Sequence, residues 1–320
     1  MAGNIITCPH CGIQLRVPID TRAELQCPEC NRTFLYEPPV PARVPVAKAV
    51  PAPEHTPAPN TASSGSQLPR MQGCPFLEYS AYENVLPSVP VKRKDICSIE
   101  ILNTLRGAPA DAWDVSEQRD GSVRAWTKQA GGRFSKLALY IAGEGGVAAP
   151  ENCAGLFEDY KNVKSLRLNG CFDTSQTVNM QQMFAFCERL TELDLSGVQT
   201  SSCRNMVGMF RGSGFHTLDL SQFDTSQVTD MNFMFCLDEG LSKVELRSFQ
   251  TSRVTDMRAM FMGTSYLEEA DLSGFDFSHV EQMRGFLCQA GALEEQIDVT
   301  QLYLPAYHGS LEDLHEAEEE

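Results

Sequence analysis

Residues 218–235, LDLSQFDTSQVTDMNFMF, contain three short motifs that recur along the second half of the chain. The Met-x-x-Met-Phe copies begin 26, 25, 26 and 26 residues apart, and the other two motifs keep the same phase, which indicates internal repeats. Met-x-x-Met-Phe occupies 180–184, 206–210, 231–235 and 257–261, with decayed copies at 153–157 and 283–287. Leu-x-Leu lies at 166–168, 193–195, 218–220, 244–246 and 270–272. The Phe-Asp-Thr-Ser motif and its variants lie at 172–175, 198–201, 223–226, 249–252 and 275–278.

Each motif predicts a structural element. Leu-x-Leu has the period of two that places both leucines on one face of a short strand. In Met-x-x-Met-Phe the spacing i, i+3, i+4 fits one face of a helical turn, with Asp230 and Asp256 where N-caps belong. The sequence therefore predicts an α/β repeat, a short leucine-rich-repeat-like solenoid with a parallel sheet and helices packed behind it. The methionines are predicted to fill the core. A methionine metal site is the alternative, which helical spacing alone does not support.

These units resemble the BspA-type leucine-rich repeats of bacterial and protist proteins. The resemblance is carried by residues 190–196, 218–235 and 254–261, and it extends over roughly 95–290. It implies an interaction function, because members of that family are mostly surface or adhesion-type proteins with signal peptides or anchors. This chain carries a CxxC-rich segment where those proteins have a signal, and the resemblance therefore leaves surface localisation in doubt.

Two CxxC pairs lie near the N-terminus, Cys8 with Cys11 and Cys27 with Cys30. Zinc takes four thiolates in a tetrahedron, and two such pairs on neighbouring hairpins supply them. The spacing resembles small zinc ribbons and predicts a structural Zn²⁺ held by all four cysteines. Iron in the same site is the second reading and a redox dithiol the third. A strand is predicted after each pair, at 13–17 and 33–36.

Composition shifts divide the chain into five segments. The predicted organisation is a zinc ribbon at 1–36, a Pro/Ala-rich linker and boundary at 37–94, a β-rich N-terminal cap at 95–150, repeats at 151–300 and an acidic tail at 301–320. Cap strands are predicted at 96–102, 122–126 and 137–141. The basic run 92–94 is predicted to be a solvated boundary, and the end of the tail to be disordered.

Charge and hydropathy narrow the function classes. The 320-residue chain has a net charge of −16, and such an acidic chain is a poor general nucleic-acid binder. Residues 1–36 balance three basic side chains against three acidic ones, so nucleic acid is an unlikely partner for the ribbon as well. Hydropathy predicts no membrane span. With no Sec-type signal visible, we expect a cytoplasmic protein. The alternative, which the repeat family suggests, is a cell-surface protein or one secreted by a non-Sec route.

The sequence predicts a binding module and no enzyme, because no nucleophile–base, phosphate-loop or metalloprotease motif is present. The expected partner is a protein or a glycan. The alternative is a zinc-ribbon regulatory protein that contacts nucleic acid or transcription machinery. The candidate partner site is an acidic strip at the centres of the Leu-x-Leu strands, formed by Asp194, Asp219, Glu245 and Asp271, with Glu192 and Glu269 on its flank. The strip is predicted to bind a basic partner or a divalent cation. In the alternative reading, each acid hydrogen-bonds a neighbouring turn or is simply solvated.

Overall fold

The structure, a computed structural model, describes residues 4–7, 14–17, 23–26, 33–36, 68–73, 91–130 and 136–317. The chain divides into two compact units, Met1–Ser64 and Gly65–Glu320. Within the described residues both units consist mainly of strands and turns, and helices are few.

The first unit contains two antiparallel strand pairs. β1 (Asn4–Thr7) pairs with β2 (Gln14–Val17), and β3 (Ala23–Gln26) pairs with β4 (Thr33–Tyr36). The strands predicted after each CxxC pair are therefore present. The four cysteines lie outside the described residues, in the chain between β1 and β2 and between β3 and β4.

The second unit opens with a mixed six-stranded sheet that continues into the repeats. Its strands, in chain order, are β5 (Ile96–Leu102), β6 (Trp113–Asp114), β7 (Val123–Gln129), β8 (Leu137–Gly143), β9 (Val147–Ala148), β10 (Ser165–Arg167), β11 (Phe172–Asp173), β12 (Glu192–Asp194), β13 (Thr217–Asp219), β14 (Lys243–Glu245) and β15 (Glu269–Ala270). The large sheet has the order β12-β10-β5-β8-β7-β6. β8, β5, β10 and β12 run parallel, whereas β6, β7 and β8 pair antiparallel. The three predicted cap strands are confirmed as β5, β7 and β8.

The repeat strands lie where the Leu-x-Leu motifs predict them, centred on the first apolar residue of each motif. β13, β14 and β15 form a separate parallel sheet, and within the described residues β12 and β13 do not pair. This break falls in the copy that is one residue short. Ser213 precedes the strand centre Leu218 by five residues, whereas Cys187 precedes Leu193 by six. The missing residue interrupts the strand register at this point.

The helices predicted behind the sheet are wrong. Each Met-x-x-Met-Phe segment forms two overlapping turns: the Met183 N–H donates to Met180 O at 3.2 Å and the Ala185 N–H to Gln182 O at 3.1 Å. The third residue of each motif has a positive φ, which a type II turn requires and an α-helix forbids. Asp230 and Asp256 accept from the N–H two residues on, which is an Asx turn and not a helix cap. Within the described residues, the sole α-helix is α1 (Ala292–Gln296), with 3₁₀ turns at Arg93–Asp95, Val299–Gln301 and Glu312–His315.

The turns of neighbouring copies are joined by a regular hydrogen-bond ladder, which we call the turn ladder. Alternate N–H groups of one copy donate to carbonyls of the next, four bonds between each neighbouring pair of copies. Between the second and third copies the donors are the N–H groups of 180, 182, 184 and 186, and the acceptors are the carbonyls of 205, 207, 209 and 211. The N–H groups in between close the turns, so both sets of backbone donors are satisfied.

The core between the sheet and the turn ladder is a stack of equivalent side chains. The rings of Phe157, Phe184, Phe210, Phe235 and Phe261 lie 5.4–5.9 Å apart and within 14° of parallel. Phe286 ends the stack edge-on, at 80° to Phe261. The repeat methionines are buried around it, as predicted.

A second stack, of buried threonines, ties the copies together at another corner. Each hydroxyl donates to a carbonyl of the next copy and accepts the N–H of that same residue. Thr225, for example, donates to Gln250 O at 3.1 Å and accepts from Gln250 N at 2.7 Å. Phe277 takes the threonine position in the last copy and ends the series. The other members are Thr174, Thr200 and Thr251.

Both ends of the repeat array are capped by segments that the sequence assigned to solvent. Arg93, predicted to be solvated, is 2% exposed and donates to the carbonyl of Glu158. Glu158 O is equivalent to Ala185 O of the next copy, which accepts a bond of the turn ladder. At the other end, Asp313 O and Leu314 O accept the N–H groups of Gly285 and Leu287. The prediction of a disordered end is thus wrong up to residue 317.

Part of the predicted linker also belongs to the second unit. The N–H of Met71 donates to Ala148 O at 2.9 Å, and the Met71 side chain is buried in the core. Residues 68–73 therefore form an edge of the cap, and the boundary of the linker lies before them.

Candidate binding face

The candidate site is the outward face of the repeat strands. In each strand the central residue points into the core, as Leu166, Leu218 and Val244 do, and the flanking side chains point away from it. We call these outward residues, together with Arg247, the charged face. Its charged members are Arg167, Glu192, Asp194, Asp219, Lys243, Glu245, Arg247, Glu269 and Asp271.

Three of the four central acids of the predicted strip hold Asx turns. Asp194, Asp219 and Asp271 each accept the N–H of a serine two residues on, at 2.9–3.0 Å. Hydrogen bonding by Ser221, through its side chain and then its N–H, lowers the pKa of Asp219. The pKa of Asp271 is lowered in the same way by Ser273. One oxygen of each carboxylate is therefore engaged in a local turn.

The second oxygens are partly committed as well. Asp194 Oδ2 accepts the N–H of Asn169 from the preceding copy at 2.9 Å. Asp271 Oδ2 meets Arg247 Nε at 3.4 Å, and Arg247 also lies 3.5 Å from Glu245. These hydrogen bonds are the ones expected if the acids hold neighbouring turns. Among the described residues of the face, Asp219 Oδ2 has no hydrogen-bond partner.

Basic side chains interrupt the strip: Arg167 is the central residue of the first Leu-x-Leu motif, and Lys243 precedes Val244. Arg167 Nη2 lies 3.8 Å from Glu192, and Lys243 pairs with Glu269. All four of these side chains are at least half exposed, so the pairs are weak and open to competition from solvent or a partner. The basic residues were visible in the sequence at the flanks of the same strands. Six acids against three bases leave the face with a net charge of −3.

The charged face does not stop at the repeats. Strand register aligns Asp194 with Arg167, Arg167 with Glu100, Glu100 with Tyr140, and Tyr140 with Trp126. These residues lie on the side of the sheet opposite Ile99 and Leu139, which are in the core. The row therefore crosses from the repeats into the cap, where sequence reasoning placed no site.

The cap end of this row is aromatic. The rings of Trp126 and Tyr140 stack at 5.6 Å and 13°, and Lys128 Nζ lies 5.2 Å from the centre of the Tyr140 ring. Trp126 is 3% exposed and Tyr140 is half-buried, so Tyr140 offers the accessible surface. A charged row that ends in an aromatic side chain suits a partner with both polar and flat apolar groups.

A shallow groove lies at the C-terminal edge of the face. It has a volume of about 240 Å³ and runs between β14 and β15, where Lys243, Glu245, Arg247 and Asp271 line it. Gln296 closes one side, and its Nε2 donates to Glu268 O at 3.2 Å. This groove makes the C-terminal edge of the face concave.

The predicted zinc ligands cannot be placed on this face or elsewhere, because all four cysteines lie outside the described residues. Within the ranges that the structure describes, no group of three or more histidine, cysteine or acidic side chains could hold a metal ion. The described part of the chain also has no helix long and apolar enough to cross a membrane.

The fold and face define a class of protein built from stacked strand-and-turn repeats with one charged sheet surface. Comparison with protein families places the similarity in the repeats. Residues 151–243 and 213–302 match the family described as Mycoplasma protein of unknown function, DUF285. No curated protein and no solved structure matches the chain. The match coincides with the predicted repeat segment and carries no functional description.

Proposed function

We propose that residues 151–300 are a leucine-rich-repeat-like solenoid of the BspA type and act as a non-enzymatic module that binds a protein or glycan partner through the charged face. The observation that carries the proposal is the alignment of Asp194, Arg167, Glu100 and Tyr140 in one row across the paired strands. Polar and aromatic side chains that are at least partly exposed on a paired sheet commonly form recognition surfaces.

The ion pairs of the charged face are weak enough for a partner to replace them. Exposed pairs such as Arg167 with Glu192 contribute roughly 0–1 kcal/mol to stability, so a partner can replace them at small cost. The net negative charge favours a partner with basic groups and gives binding that weakens with salt.

The test is neutralisation of the four central acids: Asp194→Asn, Asp219→Asn, Glu245→Gln and Asp271→Asn. An asparagine oxygen can still accept the Asx-turn N–H, and the bond that Asp194→Asn gives up, from Asn169 N–H, is exposed, so we expect the fold to hold. Binding of the full chain to basic-peptide and glycan arrays should fall at least tenfold and lose its salt dependence.

A matched control removes four acids with the same local geometry away from the face: Asp173→Asn, Asp224→Asn, Asp276→Asn and Asp298→Asn. Each of these carboxylates accepts the N–H two residues on at 2.9–3.0 Å. The control should bind as the wild type does. Equal binding by both quadruple variants and the wild type would refute a role for the charged face.

We further propose that Cys8, Cys11, Cys27 and Cys30 bind one structural Zn²⁺. Support comes from the strands around them. Thr7 pairs with Gln14 and Gln26 with Thr33, so each CxxC lies in a connection between antiparallel strands. Two such connections are the usual source of a four-thiolate site, in which zinc supplies folding energy and no redox chemistry.

Elemental analysis of the full chain should find one zinc per molecule. Cys27→Ser together with Cys30→Ser should abolish stoichiometric zinc, whereas Cys97→Ser, at a free thiol in the second unit, should not change it. A metal-free wild type from zinc-replete medium, or iron at full occupancy, would contradict the proposal.

A further inference from the structure

Asp238 lies at a corner of the fold that every copy repeats. The corner, residues 236–241, connects the turn ladder to β14. Three residues after the last residue of each Met-x-x-Met-Phe motif (Leu287 in the last copy) the chain places one buried side chain, and in the copy that starts at Met231 this residue is Asp238. The equivalent residues of the other copies are Tyr160, Cys187, Ser213, Thr264 and Ala290.

The equivalent side chains are neutral, and three of them act as hydrogen-bond donors. Cys187 Sγ donates to Phe157 O at 3.0 Å, and Ser213 Oγ donates to Phe184 O at 2.7 Å, each reaching the preceding copy. Thr264 Oγ1 donates to a carbonyl within its own copy at 2.7 Å. The position therefore faces carbonyl oxygens, which repel an anion.

Asp238 breaks this pattern because a carboxylate has no proton to donate. The residue is completely buried, and neither carboxylate oxygen has a hydrogen-bond partner. An ionised carboxylate without partners is among the most costly groups to bury. A neutral carboxyl, by contrast, has one O–H and can donate to the Phe210 carbonyl as Ser213 donates to Phe184.

No neighbouring charge offsets the burial. The side chain has no ion pair, and burial alone raises the pKa of Asp238 to about 9. The titratable and charged residues at this corner and its counterparts are Arg211 and His216 in the preceding copy, Tyr266 and Glu268 in the following copy, and Cys236, Glu239 and Lys243 in its own. Cys236 is buried, and Arg211 is half-buried with its guanidinium over the rings of Phe186 and Phe233. The other side chains are exposed, and His216 is directed to Gly240 O at 3.0 Å.

We propose that Asp238 is a proton-operated lock on this corner: the protonated carboxyl closes the corner onto the preceding copy, and loss of the proton opens it. The lock makes acid stabilise this copy, the reverse of the usual effect of acid on a protein rich in carboxylates. Its position beside β14 links the proton to the concave edge of the charged face, since Lys243 and Glu245 belong to that strand.

The sign of the effect follows from linkage. The ordinary pKa of aspartate is 3.8, and the folded value is higher, so the folded state holds the proton more tightly than the unfolded chain. The stabilisation is complete below about pH 4 and is lost progressively as the pH rises toward 9. Across this window the unfolding equilibrium constant should rise about tenfold per pH unit from this group alone.

The experiment compares urea unfolding of the full-length wild type, Asp238→Ser and Glu239→Gln from pH 5 to pH 8. Serine restores the donor found at the equivalent position of the preceding copy, and Glu239→Gln removes an exposed acid from the same corner. The ratio of the unfolding constants of wild type and Asp238→Ser should grow about a thousandfold over this range. Glu239→Gln should follow the wild type. Parallel profiles for wild type and Asp238→Ser would overturn the proposal.

Hydrogen exchange supplies a local readout that a general change in stability would not move. After correction for the intrinsic pH dependence of exchange, protection of amides 236–246 should fall with pH relative to the equivalent amides 211–220. The difference should vanish in Asp238→Ser, or in Asp238→Asn if the serine variant does not fold. Protection that falls equally in both segments of the wild type would also contradict the lock.

Discussion

The two sides of each repeat join successive copies by different means. On the turn side, four ladder bonds link every neighbouring pair of copies, and the stacked rings behind them are fully buried. On the strand side, pairing is short, the flanking residues are exposed, and the sheet is interrupted between β12 and β13. The copy that is one residue short keeps its turn ladder intact and loses only strand pairing. The repeats therefore hold their register through the turns, and the strand side absorbs irregularity.

The strongest test of this difference is to remove one residue from the turn side of a copy, because the natural copy lacks one on its strand side. Deleting Val207 shortens the turn segment of the third copy by one residue, which shifts Met209 and Phe210 out of the stack and misaligns the ladder on both sides. We expect loss of cooperative unfolding, measured by circular dichroism and urea titration.

The control lengthens the strand side instead. Inserting one serine after Gly214 restores the six-residue spacing and should change the free energy of unfolding by no more than about 2 kcal/mol, the net value of one or two hydrogen bonds. Comparable damage from the deletion and the insertion would show that register does not reside in the turns.

A smaller effect is expected when one ring is removed from the stack. Phe210 is fully buried between Phe184 and Phe235, so Phe210→Ala should lower the free energy of unfolding by about 3–5 kcal/mol. Leu193→Ala on the strand side removes a half-buried side chain and should cost less than about 2 kcal/mol. Urea unfolding of both variants checks the order, and the reverse order would count against the turn side as the main source of stability.

The buried threonines give the next prediction. Thr225→Val leaves the N–H and C=O of Gln250 without their partner and should cost about 2–6 kcal/mol, roughly 1–3 kcal/mol for each orphaned group. Thr229→Val is the matched control, because its hydroxyl bonds Arg204 O at an exposed position. The control should stay within about 0.5 kcal/mol of the wild type. A Thr225→Val variant as stable as the control would show that the threonine stack does not stabilise the fold.

Glycines provide the smallest and most selective comparison. Gly170 and Gly212 have the same left-handed backbone, with φ of 61° and 62°. A Cβ at Gly170 meets nothing within 4 Å, whereas at Gly212 it would lie 2.9 Å from the Phe186 ring. Gly170→Ala should cost about 1 kcal/mol from backbone strain, and Gly212→Ala about 1–2 kcal/mol more from the clash. Thermal unfolding of the two variants measures both losses of stability. Equal losses would mean that the turn side shifts to accommodate the added methyl group at little cost.

The repeats and their strands could be predicted from the sequence because period and alternation are local properties. The turns could not be predicted from the same spacing, because two overlapping turns and one helical turn both bring residues i, i+3 and i+4 together. The distinguishing signal was glycine at the third position of the motif, as in Gly208 and Gly285, which a helix interior disfavours. Phe233 masks that signal in the copy whose motifs are most complete, since it adopts φ 55° without being glycine.

The caps and the burial of Asp238 could not be predicted from the sequence, for a different reason. Arg93 and Leu314 stand in charged segments, and such segments are normally solvated. Only the fold shows that the first copy has unpaired carbonyls and the last copy unpaired N–H groups that these segments satisfy. Asp238 looked like one acid among 42 aspartates and glutamates, and its burial depends on the packing of three copies. Of the charged face, the acids could be predicted, whereas its continuation to Tyr140 depends on strand register in the cap.

The direction of the turn ladder has a consequence for how such chains can change in length. Every copy presents donors to its successor and acceptors to its predecessor, and Arg93 and the carbonyls of Asp313 and Leu314 supply the complementary group at each end. A whole unit duplicated or deleted between these ends leaves the terminal hydrogen bonds unchanged, because the turn ladder is the same at every junction. Array length can therefore change in steps of about 26 residues, while the charged face widens or narrows by one strand at a time.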